Sequence, residues 1–179
     1  MSAAIFFALI LNVPAGEPWA DSRLPAVPGL AAWYSAEVQG KAHQAMGLAE
    51  PKAGTSLGRV FDGSGQGRHV AQGQTKQQPK LVRQADSWLI RLDGEDDLLR
   101  GTAHNAPTSK QLTLFAVAVP HQSLGSFPGL FALGASNGRD YETGINIDLG
   151  SQFKEKFEAL NIEGKGMGGE RNLLTRTWP

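Results

Sequence analysis

The chain has no cysteine. That excludes disulfides, thiolate metal sites, haem attachment through a Cys pair and a cysteine nucleophile. It has no excess of charge of either sign: 17 basic side chains balance 17 acidic ones. No basic run or stripe stands out, which argues against nucleic acid as a partner. Helical periodicity is almost absent. Beyond the N-terminus no apolar stretch is long enough to span a membrane. The four histidines are scattered, without metal-ligand spacing. No internal repeat is present. A retaining glycosidase needs two carboxyls on one strand face, about 5 Å apart. Asp96 and Asp97 are adjacent and Glu158 and Glu163 are an odd number apart, so in regular strands each pair faces opposite sides. The chain therefore reads as non-catalytic.

What is present begins with length. A chain of 179 residues suits one domain and can bury a stable core. Its 22 glycines, spread without a period, imply many turns. Ala3 to Val13 is apolar except for Asn12, about the length of a signal h-region and too short for a membrane span. Val13-Pro14-Ala15 offers small residues for cleavage after Ala15. Residues 1–15 thus read as a signal peptide, and the protein as secreted, periplasmic or attached to the cell surface. The competing reading is a buried strand or helix. Export does not require cysteines, since disulfides are permitted there and not obligatory. Residues 16–28 are Pro-rich and polar and read as a linker, followed by a domain over 29–179.

That domain reads as strands. Gly29 to Tyr34 suits a first strand, with aromatics fit for a half-buried pleat. Gln39 to Glu50 suits a short helix stopped by Pro51. Val60-Phe61, Lys80 to Arg83, Trp88 to Leu92 and Asp97 to Arg100 read as further strands. Leu112 to Val119 is apolar on both faces and should be a central strand. Leu130 to Leu133 follows, then a Ser136-Asn137-Gly138 turn. Ile145, Ile147 and Leu149 alternate with Asn146 and Asp148, as in a half-buried strand with its polar face toward water or a ligand. Phe157 to Glu163 should be its neighbour. Short strands between turn signals predict an all-β fold, an antiparallel two-sheet β-sandwich or jelly roll. About eight to ten strands is short for a closed sandwich, so an incomplete domain is expected at the C-terminal end.

Four segments carry a resemblance. They are Gly29-Leu30-Ala31-Ala32-Trp33-Tyr34, Asp62-Gly63-Ser64-Gly65-Gln66-Gly67-Arg68-His69, Leu92-Asp93-Gly94-Glu95-Asp96-Asp97-Leu98 and Leu112-Thr113-Leu114-Phe115-Ala116-Val117. In this order the chain resembles the laminin-G-like jelly-roll domains of the concanavalin A-like lectin/glucanase superfamily, as found in large secreted bacterial proteins. The likeness covers about Leu30 to Leu149. It implies a carbohydrate-binding or adhesion module attached to other domains of a larger polypeptide. Some such domains bind Ca2+.

The individual motifs have plainer readings beside them. Asp62-Gly63-Ser64-Gly65-Gln66-Gly67 looks like the start of a calcium loop, but Gly73 stands where an EF-hand needs a bidentate acid. Asp62 then caps a turn through backbone N–H groups. Asp93, Asp96 and Asp97, with Glu95 between them, offer hard oxygens for Ca2+; the alternative is a solvated turn made by Asp93 and Gly94. Gly134-Ala135-Ser136-Asn137-Gly138 has nucleophile-elbow spacing and reads better as a hairpin turn. Gly164 to Gly169 has dinucleotide-loop spacing without a βαβ unit. Trp33, Tyr34, Trp88 and Tyr141 are candidates for stacking on sugar rings. Core packing is the preferred reading for Trp33 and Trp88, while Tyr141 in a loop is the preferred ligand contact. Arg139, Asp140 and Asn146, near it in sequence, are candidates for bonding sugar hydroxyls. The function expected is a secreted, non-catalytic module binding a polysaccharide, another glycan or a surface polymer. The alternatives are a structural or adhesion spacer and a polysaccharide-cleaving glycoside hydrolase.

Overall fold

The computed structural model describes residues 17–24, 29–101, 111–119, 128–135, 138–150, 159–166 and 171–173. The chain divides into two compact units, Met1–Leu92 with Leu98–Pro107, and Asp93–Asp97 with Thr108–Pro179. The structure is rich in strands, in small antiparallel sheets with little helix. Among the described residues no helix is long and apolar enough to cross a membrane.

Among its described residues the first unit holds two strand pairs. β1 (Arg59–Val60) runs antiparallel to β2 (Val70–Ala71), and β3 (Lys80–Gln84) to β4 (Ser87–Arg91). On β4 the partly buried residues are Trp88 and Ile90, and the exposed ones Ser87, Leu89 and Arg91, which is the period-two pattern of a half-buried strand. Trp88 and Ile90 pack on the buried cluster of Leu57, Val60 and Leu81, with Val70 and Leu99. A second cluster joins Phe61, Ala42 and Trp19, the last from the stretch expected as a linker.

α1 spans Gln39–Ala45, shorter than the helix expected over Gln39 to Glu50. Gly47 is the reason. It adopts a left-handed φ of 66°, its N–H bonds to the Gln44 carbonyl, and the Leu48 N–H bonds to the His43 carbonyl. This Schellman motif closes the helix well before the proline. Buried Gln39 fastens α1 to the core: its amide accepts from the Phe61 N–H at 2.8 Å and donates to the Phe61 carbonyl at 3.1 Å.

Among its described residues the second unit contains one sheet of four strands in the order β5 (Gly129–Leu133), β6 (Ile145–Asp148), β7 (Asn161–Gly164), β8 (Arg171–Asn172), all antiparallel. α2 (Asp140–Thr143) precedes β6. Two glycines permit the close strand approach. A Cβ on Gly144 would land on the Leu133 carbonyl, and one on Gly164 on the Gly144 carbonyl.

Among the described residues, some expected strands form no ladder. Leu112 to Val119, the expected central strand, is one, and Phe115, Val117 and Val119 are 88%, 104% and 77% exposed. An apolar run becomes a buried strand only where a partner strand and a covering face exist. Nothing within the run supplies either. Gly29 to Tyr34 is irregular apart from an isolated bridge between Tyr34 and Asp62, and Asp97 to Arg100 apart from one between Ala71 and Arg100. Arg100 exchanges its backbone hydrogen bonds with Ala71 at the end of β2, while the Trp33 N–H goes to the Asp62 carboxylate and its carbonyl to the Gly63 N–H. The Ser136-Asn137 part of the expected turn, and Phe157 and Glu158, lie outside the described residues.

Candidate functional site

The best-organised polar site of the first unit is the loop after Phe61. Asp62 is fully buried. A buried carboxylate persists only when donors surround it, and four do. Oδ1 accepts from the Trp33 N–H at 2.8 Å and the Ser64 N–H at 2.9 Å; Oδ2 accepts from the Ser64 hydroxyl at 2.7 Å and the Arg68 N–H at 3.1 Å. The Asp62 carbonyl accepts from the Trp19 indole N–H at 2.9 Å. Asp62 is thus a turn cap whose oxygens are engaged by the protein, in agreement with the plainer reading of its motif.

This cap holds two aromatics at the surface. Trp33 gives its N–H to Asp62, and its carbonyl accepts from the Gly63 N–H at 2.8 Å. A Cβ on Gly63 would sit 3.3 Å from Trp33 Cδ1, so the glycine lets the indole rest on the loop. The Tyr34 hydroxyl donates to the Arg68 carbonyl, and the Arg68 guanidinium donates to the Ala31 carbonyl at 2.7 Å. Burial, then the Asp62 charge, pushes the Tyr34 hydroxyl up to about 12, so it remains a donor. Trp33 and Tyr34 are nevertheless 44% and 43% exposed. Core packing, the preferred sequence reading for Trp33, is therefore not what the structure has.

Behind the loop stands His69. Its Nδ1 accepts from the Asp62 N–H at 3.1 Å, and its Nε2 lies 3.2 Å from Glu17 Oε1. An ion pair would lower the Glu17 carboxyl and raise the imidazole. The reverse holds: burial, then the Asp62 charge, raises Glu17, and burial, then Arg59, lowers His69. With Nδ1 accepting a hydrogen bond the imidazole is neutral, and among the described residues Glu17 Oε2 is buried without a hydrogen-bond partner.

The acidic turn is organised differently. Asp93 Oδ1 accepts from the backbone N–H groups of Glu95 at 2.9 Å, Asp96 at 3.3 Å and Asp97 at 3.3 Å, and Asp97 Oδ2 accepts from the Asp93 N–H at 2.9 Å. Gly94 supplies the left-handed φ of 81°. The backbone bonds, first that from Glu95, hold the Asp93 carboxyl below its ordinary value. Asp93, Asp96 and Asp97 each place one oxygen within 4.8 Å of the others, close enough to share a cation. The turn is nonetheless complete through its own backbone.

In the second unit the polar face of β6 is inverted from expectation. Asn146 and Asp148 are the buried residues, while Ile145 and Ile147 are only half-buried. Strand period says which residues share a face, not which face is covered. Asp148 Oδ2 accepts from the Asn146 amide at 3.0 Å, and its Oδ1 from the Gly150 N–H at 2.8 Å and the Asn161 amide at 3.3 Å. Register sets Asn146 opposite Glu163 and Asp148 opposite Asn161. Asp148 and Glu163 therefore share a face across two strands, a carboxylate pairing that inspection of single strands misses. Of the residues expected to meet a sugar, Arg139 is exposed, with Nη1 at 3.5 Å from Glu142 Oε1, while Asn146 is bound within the sheet face. Asp140 and Tyr141 lie in α2 and not in a loop, because the Arg139 carbonyl collects the Thr143 N–H and hydroxyl. Their side chains lie outside the described residues.

In comparisons with known proteins the chain matches no family model, no curated protein and no solved structure.

Proposed function

We propose that the protein is a secreted, non-catalytic module that binds a glycan or surface polymer, within a sandwich of the laminin-G-like kind joined to other domains. The observation that carries this reading is the pair Trp33 and Tyr34, each more than two-fifths exposed and anchored by its backbone or hydroxyl to the Asp62 loop. Aromatic faces suit the C–H side of a pyranose, and the neighbouring exposed Gln66 and half-buried Arg68 offer donors to hydroxyls. A rigid loop scaffold keeps the ordering cost of such binding low. Retention of the full chain on a panel of insoluble polysaccharides tests it. Trp33→Ala is expected to weaken retention about tenfold, the worth of roughly 1.4 kcal/mol of stacking, with the melt preserved. Retention unchanged by Trp33→Ala overturns the assignment, and retention on no polymer favours the spacer.

A second reading, a polysaccharide-cleaving enzyme, is favoured by Asp148 and Glu163 on one sheet face. It is the weaker one, because Asp148 is fully buried and both its oxygens already accept hydrogen bonds. Release of soluble sugar in the same assay, lost in Glu163→Gln, would reverse that ranking.

A further inference from the structure

A ring nitrogen that accepts a hydrogen bond carries no proton. The Asp62 N–H donates to His69 Nδ1 at 3.1 Å, so His69 is neutral here, with its proton on Nε2, the nitrogen that faces Glu17. The ring is wedged between Phe61, at 5.2 Å between centroids, and Trp19, at 6.0 Å. The titratable and charged groups around it are Glu17 from the N-terminal segment, Asp62 from its own loop and Arg59 from β1. His43 of α1 meets the other side of the cluster through Phe61.

A proton from solvent can enter only at Nδ1. The new Nδ1–H bond would then oppose the Asp62 N–H, and the hydrogen bond between them must break. Asp62 is also the residue that clamps the Trp33 backbone. We infer that His69 is a proton-operated latch: neutral, it holds the Asp62 loop and its aromatics in place; protonated at Nδ1, it releases them. Burial, then Arg59, sets its titration below the ordinary 6.5, so the latch is closed at neutral pH and opens on acidification below that value. Glu17, raised above 4.5 by burial and by Asp62, also loses its charge on acidification and then no longer offsets an imidazolium. The consequence for ligand binding rests on the glycan reading above; the latch itself does not.

The test is long-range proton–nitrogen NMR on the 15N-labelled full chain. The Nε2–H tautomer is expected at neutral pH. On titration the His69 nitrogens, the Asp62 amide and the Trp33 indole should move with one shared midpoint below 6.5. His69→Asn keeps an acceptor near Nδ1 that does not titrate, and in it the Asp62 and Trp33 signals should stay flat through that window. An Nδ1–H tautomer at neutral pH overturns the latch, as does a Trp33 signal that still titrates in His69→Asn. Polysaccharide retention measured alongside separates the two ideas. Loss on acidification in the wild type but not in His69→Asn supports both. Retention on no polymer at any pH sinks the glycan reading alone, and the resonances still decide the latch.

Discussion

Two glycine-bearing turns in this chain open on an aspartate, and they use it in opposite settings. Asp62 is buried and gathers donors from Trp33, Ser64 and Arg68, one of them far away in sequence. Asp93 is exposed and gathers only the N–H groups of Glu95, Asp96 and Asp97. The same side-chain chemistry therefore joins separate segments in one place and closes a local turn in the other. What differs is solvent. A buried acceptor cannot be replaced by water, whereas an exposed one can.

The largest expected effect follows from that difference. Asp62→Ala strands four donors around a cavity and should lose roughly 3–5 kcal/mol in urea unfolding. Asp93→Ala should lose less than about 1 kcal/mol. Equal losses would end the distinction. A smaller effect separates the turns by pH. The contribution of neutral His69 behind Asp62 is complete above 6.5 and is lost as the pH falls below it, because the unfolded chain takes up the proton first. Asp93 has a depressed carboxyl, so its contribution persists down to its ordinary 3.8 and is lost only below that. Amide shifts followed from pH 7 downward, on the order of one step per turn, should show the Asp62 loop responding first. The smallest effect concerns calcium. The 93–97 turn is satisfied by its own backbone, so EDTA should leave the melting temperature unchanged. A fall on chelation would make Asp93, Asp96 and Asp97 a calcium site.

Much of the strand content was legible. Lys80 to Arg83 and Trp88 to Leu92 each read as strands, and β3 and β4 stand there; that they pair with each other is shown by the structure. β6 was legible because Ile145, Ile147 and Leu149 alternate with Asn146 and Asp148; β5 was legible as Leu130 to Leu133, and β7 in part, the neighbour expected over Phe157 to Glu163 being a strand at Asn161–Gly164. Periodicity could not say which face of β6 is covered: Asn146 and Asp148 are buried, and register sets them opposite Glu163 and Asn161, a relation between strands that one strand's sequence does not carry. Nor could composition show that Leu112 to Val119 stays outside the sheets. The exposure of Trp33 was not legible either, because it depends on an aspartate 29 residues away capturing its N–H. The role of Asp62 as a cap was legible, since Asx chemistry is local in cause even when its partners are distant.

The exposed run Leu112 to Val119 has a consequence for the protein in bulk. It combines high β-propensity with no charge and no proline across eight positions, the composition of a cross-β nucleus. Two chains meeting along it would satisfy each other's backbone groups and dry their side chains together. A concentration ceiling set by encounters between chains is therefore expected, with clouding as a folded sample is concentrated.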